Sequence, residues 1–99
     1  LAYKILFSDK AQTHLGFLTA RQRSTVLDAV DVQLKHEPTL ETRNRKPLRP
    51  NPLAQWELRI GELRVYYRVE DEPQQVVYVL LIGVKDRNIV RVGSEVLEL

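Results

Sequence analysis

The stretch Trp56 to Val69, WELRIGELRVYYRV, decides the fold. Apolar and charged residues alternate in its two halves, and Gly61-Glu62 sits between them. A glycine in a two-residue connection supplies the positive φ that tight hairpin turns need, so the stretch is expected to be a β-hairpin. That turn pairs Ile60 with Leu63, Leu58 with Val65 and Trp56 with Tyr67 on one face. The other face then carries Glu57 opposite Tyr66, Arg59 opposite Arg64 and Gln55 opposite Arg68. Like charges directly opposite one another cost roughly 0.2–1 kcal/mol. Stability alone does not account for the arginine pair, and the charged face is expected to meet an anion.

Working outward, the 99 residues are expected to form one domain, 1–99, with 43% hydrophobic and 28% charged residues, a soluble globular composition. There is no cysteine, which excludes disulfides and thiolate chemistry and fits a reducing cytoplasm. The opening LAYKILFSDK is too soon interrupted by charge to be a signal peptide. No apolar run approaches the ~20 residues that cross a bilayer, so no membrane partner is expected.

The net charge of +2 conceals a strong asymmetry. Residues 43–68 carry seven basic side chains (Arg43, Arg45, Lys46, Arg49, Arg59, Arg64, Arg68) against Glu57 and Glu62, a local +5. Residues 1–42 balance to zero and residues 69–99 sum to −3. Such a block steers a polyanion even in a nearly neutral protein. Nucleic acid and an acidic protein segment both fit.

Elsewhere, Ala2 to Phe7 alternates as a first strand. Ser8 caps a short helix with Ala11, Leu15 and Leu18 on one side, and Gly16 loosens or ends it. Thr19 and Gln22 have capping-box spacing and announce a second helix, whose apolar stripe is Val26, Leu27, Val30 and Leu34. The short connection makes the two helices an antiparallel hairpin. Pro47, Pro50 and Pro52 mark Thr39 to Leu53 as an extended basic loop. After the hairpin, Val76 to Ile82, VVYVLLI, is apolar on both faces and reads as a central, doubly covered strand. A final short strand is expected near Ile89 to Val92. The order β-α-α-β-β-β gives an α+β fold: an N-terminal strand and a two-helix hairpin packed on one face of a mainly antiparallel sheet. The opposite face is expected to be open, concave and basic.

The pattern of Trp56, Leu58, Arg59, Gly61, Leu63, Arg64, Val65 and Tyr67, with the apolar strand ending in Ile82-Gly83, resembles the RelE/ParE superfamily of toxins from type II toxin–antitoxin modules. The resemblance covers nearly the whole chain. It implies a RelE-like fold and a cytoplasmic protein paired with a cognate antitoxin in a hetero-oligomer. RelE-like members cut message in the ribosomal A site. By motif position Arg59 and Arg64 match basic residues of that site, and Lys85 falls where the family often has another.

In-line attack by a ribose 2′-OH needs a proton acceptor, charge stabilisation at the phosphate and a donor for the leaving oxygen. Arginine stays protonated, so Arg59 and Arg64 are expected to clamp the phosphate and stabilise the transition state. Lys85 does the same or transfers a proton. Arg45, Lys46, Arg49, Arg68, Arg87 and Arg91 are the expected RNA-backbone contacts. Tyr66 is a candidate to stack on a base or donate a hydrogen bond.

The chain also departs from the family. The segment after the central strand lacks the tyrosine many nucleases carry, with Arg91 or Val92 near its place, and a hairpin position that is often lysine reads Glu57. Glu57 is expected chiefly to balance the arginines. His14 reads as a packing residue and His36 as a cation in the last turn of the second helix. No metal-ligand spacing or glycine-rich phosphate loop is present, so no cofactor is expected. Three functions follow: a metal-independent ribosome-dependent endoribonuclease (an mRNA interferase), a ParE-like inhibitor of DNA gyrase, or an inactive antitoxin-binding relative.

Overall fold

The computed structural model describes residues 2–98. Its elements are β1 (Lys4–Phe7), α1 (Asp9–Leu15), α2 (Ala20–Leu34), β2 (Arg45–Pro47), β3 (Trp56–Ile60), β4 (Leu63–Glu70), β5 (Val76–Asp86), β6 (Ile89–Val92) and β7 (Glu95–Leu97). The strands form one sheet in the order β2-β3-β4-β5-β6-β7, antiparallel throughout, with β1 added parallel to β5. The α+β expectation holds.

The β3–β4 hairpin has the register read from the sequence, including Trp56↔Tyr67, Glu57↔Tyr66 and Arg59↔Arg64. Gly61 has φ +57°, the first central position of a turn whose twist suits the strands. Both helix starts also agree. Ser8 accepts from the Ala11 N–H, and Thr19 and Gln22 close a reciprocal capping box.

One face of the sheet packs on the helices. Ala11, Leu18, Val26, Val30 and Leu34 meet Leu58, Leu63, Val65, Tyr67, Val77, Val79 and Ile82 in a single core. Trp56 stacks across the hairpin on Tyr67 at 6.3 Å between ring centres, and the Tyr67 hydroxyl donates to the Pro38 carbonyl. Leu27, expected in the stripe, is 41% exposed.

β5 is longer than expected and holds the fold together. β4 lies along one edge, and β1 and β6 share the other at opposite ends. Between them α1 stands in for a strand. The Ser8 hydroxyl donates to the Leu80 carbonyl at 3.0 Å, and His14 Nδ1 accepts from the Ile82 N–H at 3.2 Å. Leu80 is a bulge, since Tyr66 pairs with Leu81 and Tyr67 with Val79. The bulge resets the alternation, so Val77, Val79 and Ile82 serve the main core while Leu81 faces the other side.

The structure differs from the sequence reading in three places. The supposed loop 39–53 contains β2, an edge strand whose last residue, Pro47, has no ladder N–H to lose. A further strand, β7, follows a turn at Gly93, φ +60°. α2 ends at Leu34 with Lys35 as its cap, which leaves His36 past the helix.

The largest correction concerns the second face of the sheet. It is not open. Leu48 and Ala54 from one side and Val90, Val92 and Leu97 from the other close over Tyr66 and Leu81 to make a second, smaller core.

Candidate functional site

Strand alternation sorts the expected site residues. Arg59 and Arg64 are Cα partners on the second face, and Gly83 is the next residue across the sheet. Lys85, two residues beyond Gly83, projects from the same face, roughly 7–8 Å diagonally from Arg64. Its N–H donates to the Glu62 carbonyl at 2.7 Å, which ties β5 to the hairpin turn. The register therefore brings Arg59, Arg64 and Lys85 together at one end of this face.

Their surroundings differ. Lys85 is exposed at the rim. Arg64 is buried, and its Nη1 donates to the Gly61 and Leu63 carbonyls at 2.7 and 2.8 Å, clamping the turn. The Arg59 side chain is 48% exposed, and its Nε donates to Glu57 Oε1 at 2.6 Å. Glu57 and Tyr66 are both buried, and they are Cα partners across the hairpin. Burial, then the charge of the neighbouring Glu57, push the Tyr66 hydroxyl far above its ordinary value, so it stays protonated.

Gly83 has a steric reason to be glycine. A Cβ there would lie 2.3 Å from the Arg91 carbonyl oxygen and 2.7 Å from a Val92 methyl. The bare backbone lets β6 lie close beside the Arg64–Gly83 row.

The other expected RNA contacts do not all join this cluster. Arg45 pairs with Leu58 on the core face and is buried. Its guanidinium donates to the Leu40 carbonyl, the Gln33 carbonyl and the Gln33 side chain, at 2.9, 2.7 and 3.0 Å. It ties β2 to the last turn of α2, whose carbonyls otherwise lack partners. Arg91 pairs with Val84 and also projects on the helix side. Tyr66, at 1% exposure, presents no ring to a base. Lys46 is on the second face beside Glu57, with Nζ 3.9 Å from Glu41. Arg49 is exposed in the loop, and Arg87 is exposed at the β5–β6 turn with φ +59°. Arg68 lies on the second face but beyond the Tyr66–Leu81 core, over the Tyr78 ring at 4.1 Å and paired with Glu70. Sequence reasoning passed over Tyr78; its alternation with Val77 and Val79 was the available signal.

His14 takes the packing role expected of it and adds a hydrogen bond. Burial, aided by Lys10, lowers its pKa, which keeps Nδ1 free to accept. Among the described residues no group of three His, Cys, Asp or Glu is placed to hold a metal. Nor is any described helix long and apolar enough to cross a membrane.

Chemically this end of the face carries two guanidinium groups and an amine, groups whose charge suits a phosphate. No family model and no curated protein matches the sequence. Among solved structures, the chain is similar to one in the toxin–antitoxin complex RelBE2 from Mycobacterium tuberculosis. Identity is 28%, the TM-score 0.74, and the match covers 86% of this chain and 100% of that one. That likeness supports a RelE-like toxin, and the α+β fold agrees with it.

Proposed function

We propose that this protein is the toxin of a type II toxin–antitoxin module and that it inhibits translation by cutting message on the ribosome. The observation that carries the reading is the convergence of Arg59, Arg64 and Lys85 on one face of the sheet. In this account Arg59 and Lys85 hold the scissile phosphate, Arg64 supplies fixed positive charge from below, and Lys85 is the group free to move a proton. Lys46, Arg49 and Arg87 border the track of the RNA backbone. Ribosomes place the activity in the cytoplasm, and a cognate antitoxin, like the one in the RelBE2 complex, is the controlling partner. Growth arrest on expression tests the assignment. Arrest by the parent chain that disappears in Arg59→Ala/Arg64→Ala, with antitoxin binding retained, supports it. An equally toxic double variant refutes it.

One observation favours a second reading, an antitoxin-binding relative that does not cut. Glu57 is tied to Arg59, and His14 is tied to the edge of β5, so neither is free to act as a base. Under that reading the chain binds antitoxin but leaves message intact. The gyrase-inhibitor alternative rests on the tyrosine missing after the central strand.

A further inference from the structure

We propose that Glu57 is a positioning residue that orients Arg59 to present a guanidinium fork to an RNA phosphate; this rests on the reading of the second face as an RNA site. Glu57 stands where it is least expected, an acid inside the most basic part of the chain. Its side chain is only 10% exposed, against 48% for Arg59. The contact uses Arg59 Nε at 2.6 Å. Among the described residues that is the guanidinium's one hydrogen bond to protein, and its two outer nitrogens remain available. Those two nitrogens form the edge that engages phosphate oxygens two at a time.

The Glu57 side chain has little room to move. It is buried beside its cross-strand partner Tyr66, a ring packed in the second core with Leu81, Ala54 and Val92. Positional order therefore passes from that core through Tyr66 and Glu57 to an exposed arginine. Without it, Arg59 would swing on its long side chain and be repelled by Arg64, its Cα partner. The same burial argues against Glu57 as a general base, because a base needs reach to the 2′-hydroxyl of the substrate.

Orientation and bulk charge predict opposite signs. Removing an acid from beside a phosphate site should strengthen RNA binding if charge alone matters. If Glu57 orients Arg59, removal should weaken it. The experiment measures binding of a short single-stranded RNA oligomer to the full chain and its variants.

Glu57→Ala and Glu57→Leu are both used, since Leu fills the space beside Tyr66 and keeps the chain folded if Ala does not. Each should bind about tenfold more weakly, on the order of one charged hydrogen bond. Glu57→Gln, which keeps an acceptor for Arg59 Nε, should bind at least as tightly as the parent. In an Arg59→Ala background, Glu57→Leu should have no further effect. Tighter binding by Glu57→Leu would overturn the proposal.

The Nε–H resonance of Arg59 gives a readout that does not depend on RNA. Slow exchange in the parent and in Glu57→Gln, lost in Glu57→Leu, supports the orientation. If the parent binds no RNA while that pattern holds, the RNA reading fails and the orienting contact stands. Fast exchange in the parent overturns the contact itself.

Discussion

His14 Nδ1 accepts a hydrogen bond from the Ile82 N–H at 3.2 Å, at the one stretch of the β5 edge that neither β1 nor β6 covers. A protonated ring cannot accept there, and burial lowers the folded pKa of His14 below the ordinary value near 6.5. Lys10 on the same helix reinforces the shift, and Glu95 of β7 opposes it. Between the folded and unfolded pKa values the unfolded chain binds more protons, so this contribution to stability grows with pH. It is complete above the unfolded value and is lost as pH falls through the folded one. Thermal unfolding should therefore show a loss of stability on acidification below about pH 6.5, and His14→Ala should flatten that part of the profile. At neutral pH the same variant should lose about 1–3 kcal/mol, the cost of stranding a buried N–H.

Arg45 should behave as a structural residue in spite of its place in the basic segment. Arg45→Ala removes three hydrogen bonds that join β2 to α2 and Leu40. The expected cost is about 2–3 kcal/mol, a fall in Tm of roughly 10 °C or more. The salt dependence of RNA binding should be unchanged. A stable variant with a shallower salt dependence would return Arg45 to the RNA surface.

Gly83 should tolerate no side chain. A methyl group would meet the Arg91 backbone at 2.3 Å, and backbone cannot step aside as a side-chain tip can. Gly83→Ala should cost about 2–3 kcal/mol by overpacking. Amide exchange at Val90 and Val92 should accelerate before that of β3 and β4, because β6 is the strand pushed away.

Arg87 holds φ +59°, a conformation that favours glycine. Arg87→Gly should relieve the turn and stabilise the fold by about 0.5–1 kcal/mol. If the arginine touches RNA, the same change should weaken binding and lower the salt slope by about 0.7, one phosphate contact on a single strand. A variant that is less stable than the parent would show that the turn is not strained.

How much of this was legible in the sequence follows from how local each signal is. The hairpin, both helix caps and the first strand are written in neighbouring residues: Gly61 between alternating halves, Ser8 before α1, Thr19 and Gln22 at the start of α2. The bulge at Leu80 was not legible, since a run of apolar residues hides which side each one faces. Short β2 was masked by its proline and its charges, and β7 by the single glycine-serine turn that announces it. The site suffered from parity. Arg45 falls in a stretch that reads as a loop and so had no face. In a strand as short as β6, a one-place error in register moves a side chain such as Arg91 to the other face. The burial of Tyr66 depends on Leu48, Ala54 and Leu97, which come from distant parts of the chain. No local pattern records that meeting.

If the proposed function is right, the basic end of the second face cuts translating message. The decisive experiment adds the purified chain to a cell-free bacterial translation reaction and maps message ends by primer extension. New ends should appear only while the message is being translated, and should be absent with Arg59→Ala/Arg64→Ala. Intact message in the presence of the folded parent chain, with protein synthesis undiminished, would contradict it.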